Sequence, residues 1–285
     1  MKHKNIFEII SSQRNPSNEI ERIEQMLTDP HGVYIGDEIF QTFTKGTPSS
    51  IVDYIDNYLF KTWKARETCI CVDDLKQLLN LDDTPTEDKI SEEFILIYCE
   101  YAANMVYLLK SKIAHKDDLS DIPDAILHNL KILLDWYNHE IVYDPLKEKA
   151  IVVAKNASAT AVVELLDNAL SYSVVEYNHF LLKGNINKKK AILLALGNDL
   201  EPKRDKLRKI DKELTDCIFF MLNNLDLRHN NRTKGDKYYK EKIARMHLST
   251  LEKWYDELYQ LMLSAYMSLE NIKRIAKIKT LKSTI

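Results

Sequence analysis

The spacing of apolar residues divides the chain into helical stretches, one hairpin and several polar breaks. Asn18 to Leu27 places Ile20, Ile23, Met26 and Leu27 on one helical face, with Ser17-Asn18 as caps and Asp29-Pro30-His31-Gly32 as the stop. Val33 to Phe43 mixes apolar and polar residues around Gly36, and Lys45-Gly46-Thr47-Pro48-Ser49 marks a turn. Ser49 or Ser50 then caps a helix through Ile51, Tyr54, Ile55, Tyr58 and Leu59. Thr68 to Val72 reads as a strand or turn, and Asp73 opens a short helix through Leu75, Leu78 and Leu79. Leu81 to Asp88 is a first polar break. Ile90 to Ile113 is apolar around much of its circumference (Phe94, Ile97, Tyr98, Tyr101, Met105, Tyr107, Leu108), which predicts a helix buried on most sides. His115 to Asp121 is a second break. Asp121 caps the next helix, with Pro123 just inside it, and its face carries Ile126, Leu130, Leu133, Leu134 and Tyr137.

Beyond this helix the period changes. Glu140 to Tyr143 and Ala150 to Ala154 are short β-branched runs around Asp144 to Glu148, which predicts a hairpin. A long helix starts at Ser158 or Thr160 and runs to about Leu182, where Lys183-Gly184-Asn185 ends it. Helices follow at Lys188 to Leu200 and Pro202 to Asn224. After a polar stretch from Arg228 to Lys237, a last helix begins at Tyr238 or Lys242 and reaches about Lys277. Its stripe holds Leu251, Trp254, Leu258, Met262, Ala265, Leu269 and Ile272. The predicted fold is mainly α. A helical N-terminal domain, residues 1–120, precedes a helical-bundle C-terminal domain, residues 121–285, with a small β-hairpin near 140–155.

Composition agrees with helices: only 6 Gly and 7 Pro stand among 285 residues, of which 45% are hydrophobic. No apolar run is long enough to span a membrane, so no membrane partner is expected. The basic start, Met1 to Lys4, is followed early by acids and lacks an apolar signal core, and the chain reads as cytoplasmic. Cys69, Cys71, Cys99 and Cys217 do not form a disulfide framework. Cys69-Ile70-Cys71 has no second pair at zinc-ligand spacing. It reads as two small buried residues beside Ile70 and Val72, with metal or redox chemistry as the alternative. No metal and no cofactor are expected.

The net charge of −3 conceals an asymmetry: residues 183–245 hold 17 Lys and Arg against 9 Asp and Glu, whereas the rest of the chain is acidic. Such a segment is either a phosphate-binding face or a set of solvated helices of mixed charge. Glycine-rich phosphate cradles and hydrolase motifs are missing. One polar cluster stands out at a helix end, Asn223 to Arg232. On a helix, Asn224, Arg228 and Asn231 share a face at spacings of four and three, with His229 about a quarter-turn away. An arginine to hold non-bridging oxygens and a histidine to move a proton are what phosphoryl transfer requires. The same residues serve equally as an ion pair and a helix C-cap. Glu176 and His179, three apart, form a secondary polar site in which a carboxylate orients an imidazole; the other reading is a surface hydrogen bond.

The stretches Glu176-Tyr177-Asn178-His179, Lys188 to Leu193, Phe219 to Asn231 and Trp254 to Tyr259 resemble the HEPN superfamily, and in particular the C-terminal HEPN-type domain of abortive-infection proteins. Asn156 to Arg274 carries this resemblance, with Arg228-His229-Asn230-Asn231 as its most distinctive piece. It implies a helical bundle that dimerises and, in many members, a metal-independent ribonuclease of toxin or antiphage systems. The family's site is an Arg, a polar residue, three variable residues and a His. Here the fifth residue after Arg228 is Thr233, and the histidine is adjacent at 229.

Two functions follow from this. In the first, Arg228 stabilises the transition state of RNA cleavage, His229 is the acid or base, Asn224 and Asn231 complete the catalytic set, and Lys188, Lys189, Lys190, Lys203 and Arg204 hold flanking phosphates. In the second, the chain is a non-catalytic module that binds RNA or protein. A homodimer through the C-terminal bundle and a protein partner for residues 1–120 are the expected associations.

Overall fold

The computed structural model describes residues 15–35, 47–82, 90–112 and 121–285. The basic N-terminus, residues 36–46 and most of both polar breaks lie outside the described residues. The fold is mainly α, with two small antiparallel sheets. The chain divides into two compact units, 1–154 and 155–285. This division falls after Ala154, so the helix and hairpin that the sequence groups with the C-terminal bundle pack within the first unit.

The first unit opens with α1 (Pro16–Thr28). Its cap is Asn15, whose side-chain Oδ1 accepts from the Ser17 amide at 2.9 Å, rather than Ser17-Asn18. β1 (Val33–Ile35) pairs with β2 (Thr47–Ser49), so the second half of the expected turn is a strand. α2 (Ile51–Tyr54) is capped by Ser50 and continues as a π-helical turn over Ile55–Leu59. The Cys69–Cys71 stretch is a bend, not a strand. Cys69 is buried, Ile70 is 72% exposed, and the Cys71 sulfur accepts the Asp74 amide to cap α3 (Val72–Leu78).

α4 (Glu92–Lys112) is the buried helix its apolar circumference predicts. α5 (Ile122–Trp136) packs against it, as does the hairpin of β3 (His139–Asp144) and β4 (Lys149–Ala154), which pair from His139 with Ala154 to Asp144 with Lys149. α4 also closes the free edge of β4. Asn104 accepts from the Ala150 amide and donates to the Ala150 carbonyl, both at 2.8 Å, and Glu100 accepts from the Val152 amide at 2.8 Å. A side-chain amide thus takes the place of a neighbouring strand's peptide, and the edge is no template for another chain.

In the second unit, the long helix expected to begin at Ser158 or Thr160 and run to Leu182 is broken. α6 (Ala157–Val163) is capped by Asn156, and α7 (Asn168–Tyr177) by Asp167, whose carboxylate accepts the Leu170 amide at 3.0 Å. The run from Pro202 to Asn224 likewise divides at Asp211, which is extended (φ −145°, ψ 99°) and caps the following helix. The elements are α8 (Ile186–Leu200), α9 (Arg204–Ile210) and α10 (Lys212–Asn224). Short α11 (Glu241–Ala244) leads to α12 (Leu248–Thr284), against which α6, α8, α9 and α10 pack. The expected stripe of α12 is buried at Leu251, Leu258, Met262, Ala265 and Leu269, but Trp254 is exposed, and Tyr255, Tyr259 and Tyr266 fill the core beside it.

Among the described residues, no helix is long and apolar enough to cross a membrane.

Candidate functional site

α10 stops at Asn224. Asp226 adopts a left-handed backbone (φ 58°), so Arg228 and Asn231 lie on a loop and share no helical face with Asn224. The loop is held from within. Asn231 is fully buried. Its side chain accepts from the Asp226 amide and donates to the Tyr238 carbonyl, each at 2.8 Å, while its backbone carbonyl accepts the Lys240 amide at 2.8 Å. Asp226 accepts the Arg232 amide at 3.2 Å and pairs with Lys190 at 3.3 Å. Tyr255 donates to the Leu225 carbonyl at 3.0 Å, which fastens the start of the loop to α12. Asn224 donates to Phe220 within α10 and accepts from Lys240.

Arg228 reaches α8. Its guanidinium pairs with Glu201 at 2.5 Å, donates to the Gly197 carbonyl at 3.3 Å and lies 5.4 Å from the Phe219 ring centre. Gly197 belongs to the last turn of α8, and its carbonyl also accepts the Glu201 backbone amide, so the guanidinium is a second donor to that oxygen. The approach of α10 to α8 is close here: a Cβ on Gly197 would stand 3.0 Å from both Leu222 methyl carbons. His229 takes a different direction. It stacks on Tyr238 at 3.9 Å between centroids. The nearby Asp236 carboxyl is held below its usual range by the Tyr238 amide, the Asn230 side chain and the His229 charge. The two residues expected to act together therefore have separate sets of neighbours.

The expected phosphate-binding residues each face a carboxylate. Lys188 pairs with Glu176 at 2.7 Å, Lys203 with Asp199 at 2.5 Å and Arg204 with Glu201 at 3.6 Å. Lys189 is buried, bonded to Glu252 at 2.8 Å and Asp256 at 2.7 Å, and its ammonium lies 5.3 Å from the Tyr177 ring centre. Burial raises the Glu252 carboxyl, but hydrogen bonds from Lys189 and the Gly184 amide, with the charges of Lys189 and Lys183, outweigh it and leave the group below its usual range. Tyr177 donates to Asp256 at 3.0 Å and stacks on Tyr259 at 4.0 Å. α7 ends at Tyr177, which places His179 past the helix that carries Glu176, against the Phe180 ring. Glu252 and Asp256 were not expected here. Their only sequence signal is a pair of acids four apart within the apolar stripe of α12.

The surface beside the loop is apolar. A groove of about 730 Å³ between α10 and α12 is lined by Cys217, Phe220, Met221, Met246, Trp254 and Leu261, with Lys253 and Glu257 among its polar neighbours. Phe220 is 63% and Trp254 47% exposed. Among the described residues, no three His, Cys, Asp or Glu side chains converge so as to hold a metal ion. No family model, no curated protein and no solved structure matches the chain.

Proposed function

We propose that residues 155–285 form a non-catalytic, HEPN-like interaction module of a prokaryotic defence or toxin system, which pairs with a second copy through the groove between α10 and α12. The observation that carries this reading is the divergence of Arg228 and His229. One secures the end of α8 through Glu201 and Gly197, and the other stacks on Tyr238. Acid–base catalysis at one phosphate requires both groups within hydrogen-bond reach of the same reacting atoms. The cationic side chains around them already face carboxylates, so RNA would have to displace those pairs.

The groove supplies what pairing requires. Phe220 and Trp254 are the large aromatic anchors on which interfaces concentrate their affinity. Lys253 and Glu257 stand one helical turn apart among its lining residues, and a two-fold axis between antiparallel α12 helices would bring Lys253 of one copy opposite Glu257 of the other.

The test has two arms. Light scattering after size exclusion is expected to show a dimer that Phe220→Asp and Trp254→Asp convert to monomer. RNA incubated with the protein and EDTA is expected to remain intact. A dimer unaffected by both substitutions would overturn the pairing. RNA cleavage that Arg228→Ala abolishes would overturn the non-catalytic reading and restore the ribonuclease.

A further inference from the structure

We propose that residues 271–285 of α12 are a docking ridge for an acidic amphipathic helix of another protein. Burial along α12 ends at Leu269. Beyond it, Ile275, Ile278 and Leu281 are 52%, 52% and 57% exposed and continue, at spacing three, the row begun by Ile272. The segment holds Lys273, Arg274, Lys277, Lys279 and Lys282 and no acidic residue. Lys273 pairs with Glu270 at 2.8 Å, whereas Lys277, Lys279 and Lys282 have no ion pair among the described residues.

A row at spacing three is one of the ridges by which helices interdigitate. The adjacent rows carry Arg274 and Lys277 on one side and Lys279 and Lys282 on the other. An apolar ridge between two basic ones is complementary to a helix with an apolar stripe between carboxylates. Other occupants fit less well. A second copy of the segment would bring five cations, of which Lys273 pairs with Glu270, onto five others. Single-stranded RNA would find no aromatic ring to stack on and would leave the aliphatic row uncovered. Ile275, Ile278 and Leu281 span about 120° of the helix, and Arg274 and Lys282 lie inside that arc, where a bilayer would have to bury them and a carboxylate-bearing helix would pair them.

The experiment uses the full chain and a labelled synthetic helix with leucines flanked by glutamates, followed by fluorescence anisotropy. A scrambled peptide of the same composition, an oligouridine RNA and phosphatidylglycerol vesicles serve as comparisons. The patterned helix is expected to bind about tenfold more tightly than the scrambled one and to weaken with salt. A combined Ile275→Gln, Ile278→Gln and Leu281→Gln variant is expected to remove that advantage, and a combined Lys277→Gln, Lys279→Gln and Lys282→Gln variant to remove most binding. These side chains are exposed, so both variants should keep the parent's circular dichroism and melting temperature. Equal binding of the two peptides, no binding, or tighter capture by RNA or vesicles that the aliphatic variant leaves unchanged would each overturn the proposal.

Discussion

Asn231 and Arg228 stand three residues apart and stabilise the loop in different ways. Asn231→Ala removes both side-chain bonds from a fully buried position and leaves the Asp226 amide and the Tyr238 carbonyl without those partners. Leaving buried polar groups unpaired costs about 1–3 kcal/mol, and the loss here should lie in the upper half of that range. Asn230 is exposed and its side chain donates to Asp236 in an exposed hydrogen bond, so Asn230→Ala should change stability by less than about 0.5 kcal/mol. Arg228→Ala removes a part-exposed ion pair, one bond to a carbonyl and a ring contact, for which about 1–2 kcal/mol is expected. Arg228→Lys should recover only part of this, because an ammonium cannot reach Glu201 and Gly197 in one planar fork. Urea unfolding of the four variants ranks these effects, and equal losses for Asn230→Ala and Asn231→Ala would contradict the internal role of the loop. The cluster was legible in the sequence as a polar group at a helix end. What the residues bond was not, because the left-handed turn at Asp226 replaces helical spacing with loop geometry, and no periodicity extends through such a turn.

At the scale of elements, the helices with broad apolar faces matched their pattern, as Glu92–Lys112 shows against an expected Ile90 to Ile113. The breaks at Asp167 and Asp211 did not show, because each lies inside a run whose apolar period continues and a single carboxylate accepting an amide restarts the helix. The core tyrosines of α7 and α12 were also hidden. Tyr177, Tyr255, Tyr259 and Tyr266 are core residues whose hydroxyls have partners: Asp256, the Leu225 carbonyl, the Val174 carbonyl, and Asp199 with the Leu196 carbonyl. Burial foremost, with nearby carboxylates at Tyr177, Tyr255 and Tyr266, pushes all four well above the usual tyrosine value of 10.0. A raised folded value means that above pH 10 the unfolded chain releases protons that the native chain keeps, so stability falls as pH rises. Each such proton contributes about 1.4 kcal/mol per pH unit, and four withheld together give a slope of about 5 kcal/mol per pH unit. Ultraviolet titration should therefore show these tyrosines ionising only as the second unit unfolds, and Tyr259→Phe should lower the slope by about a quarter. Smooth ionisation with helicity intact would show that the hydroxyls are open to solvent.

For the molecule as a whole, the decisive matter is where the chain divides. A break at 120 assigns α5 and the hairpin to the bundle, whereas contacts assign them to the first unit, where α5 packs on α1 and α4, and β4 lies along α4. The sequence favours 120 because the polar run from His115 to Asp121 resembles a linker, while Lys155 and Asn156 form only a brief polar step after β4. Helix caps and domain linkers use the same short polar residues, and composition does not separate them. Two fragments do. Residues 155–285 contain the whole of a core running from Ala159 to Leu269, so this fragment should melt in one cooperative transition with native helicity. Residues 121–285 would also carry Ile126, Leu130 and Leu133, all fully buried in the intact chain, without the helices that cover them. That fragment should bind a hydrophobic dye, aggregate on concentration and be trimmed by protease to a product beginning near Lys155. A fragment 155–285 that fails to fold, beside a fragment 121–285 that melts cooperatively and resists trimming, would return the hairpin to the bundle.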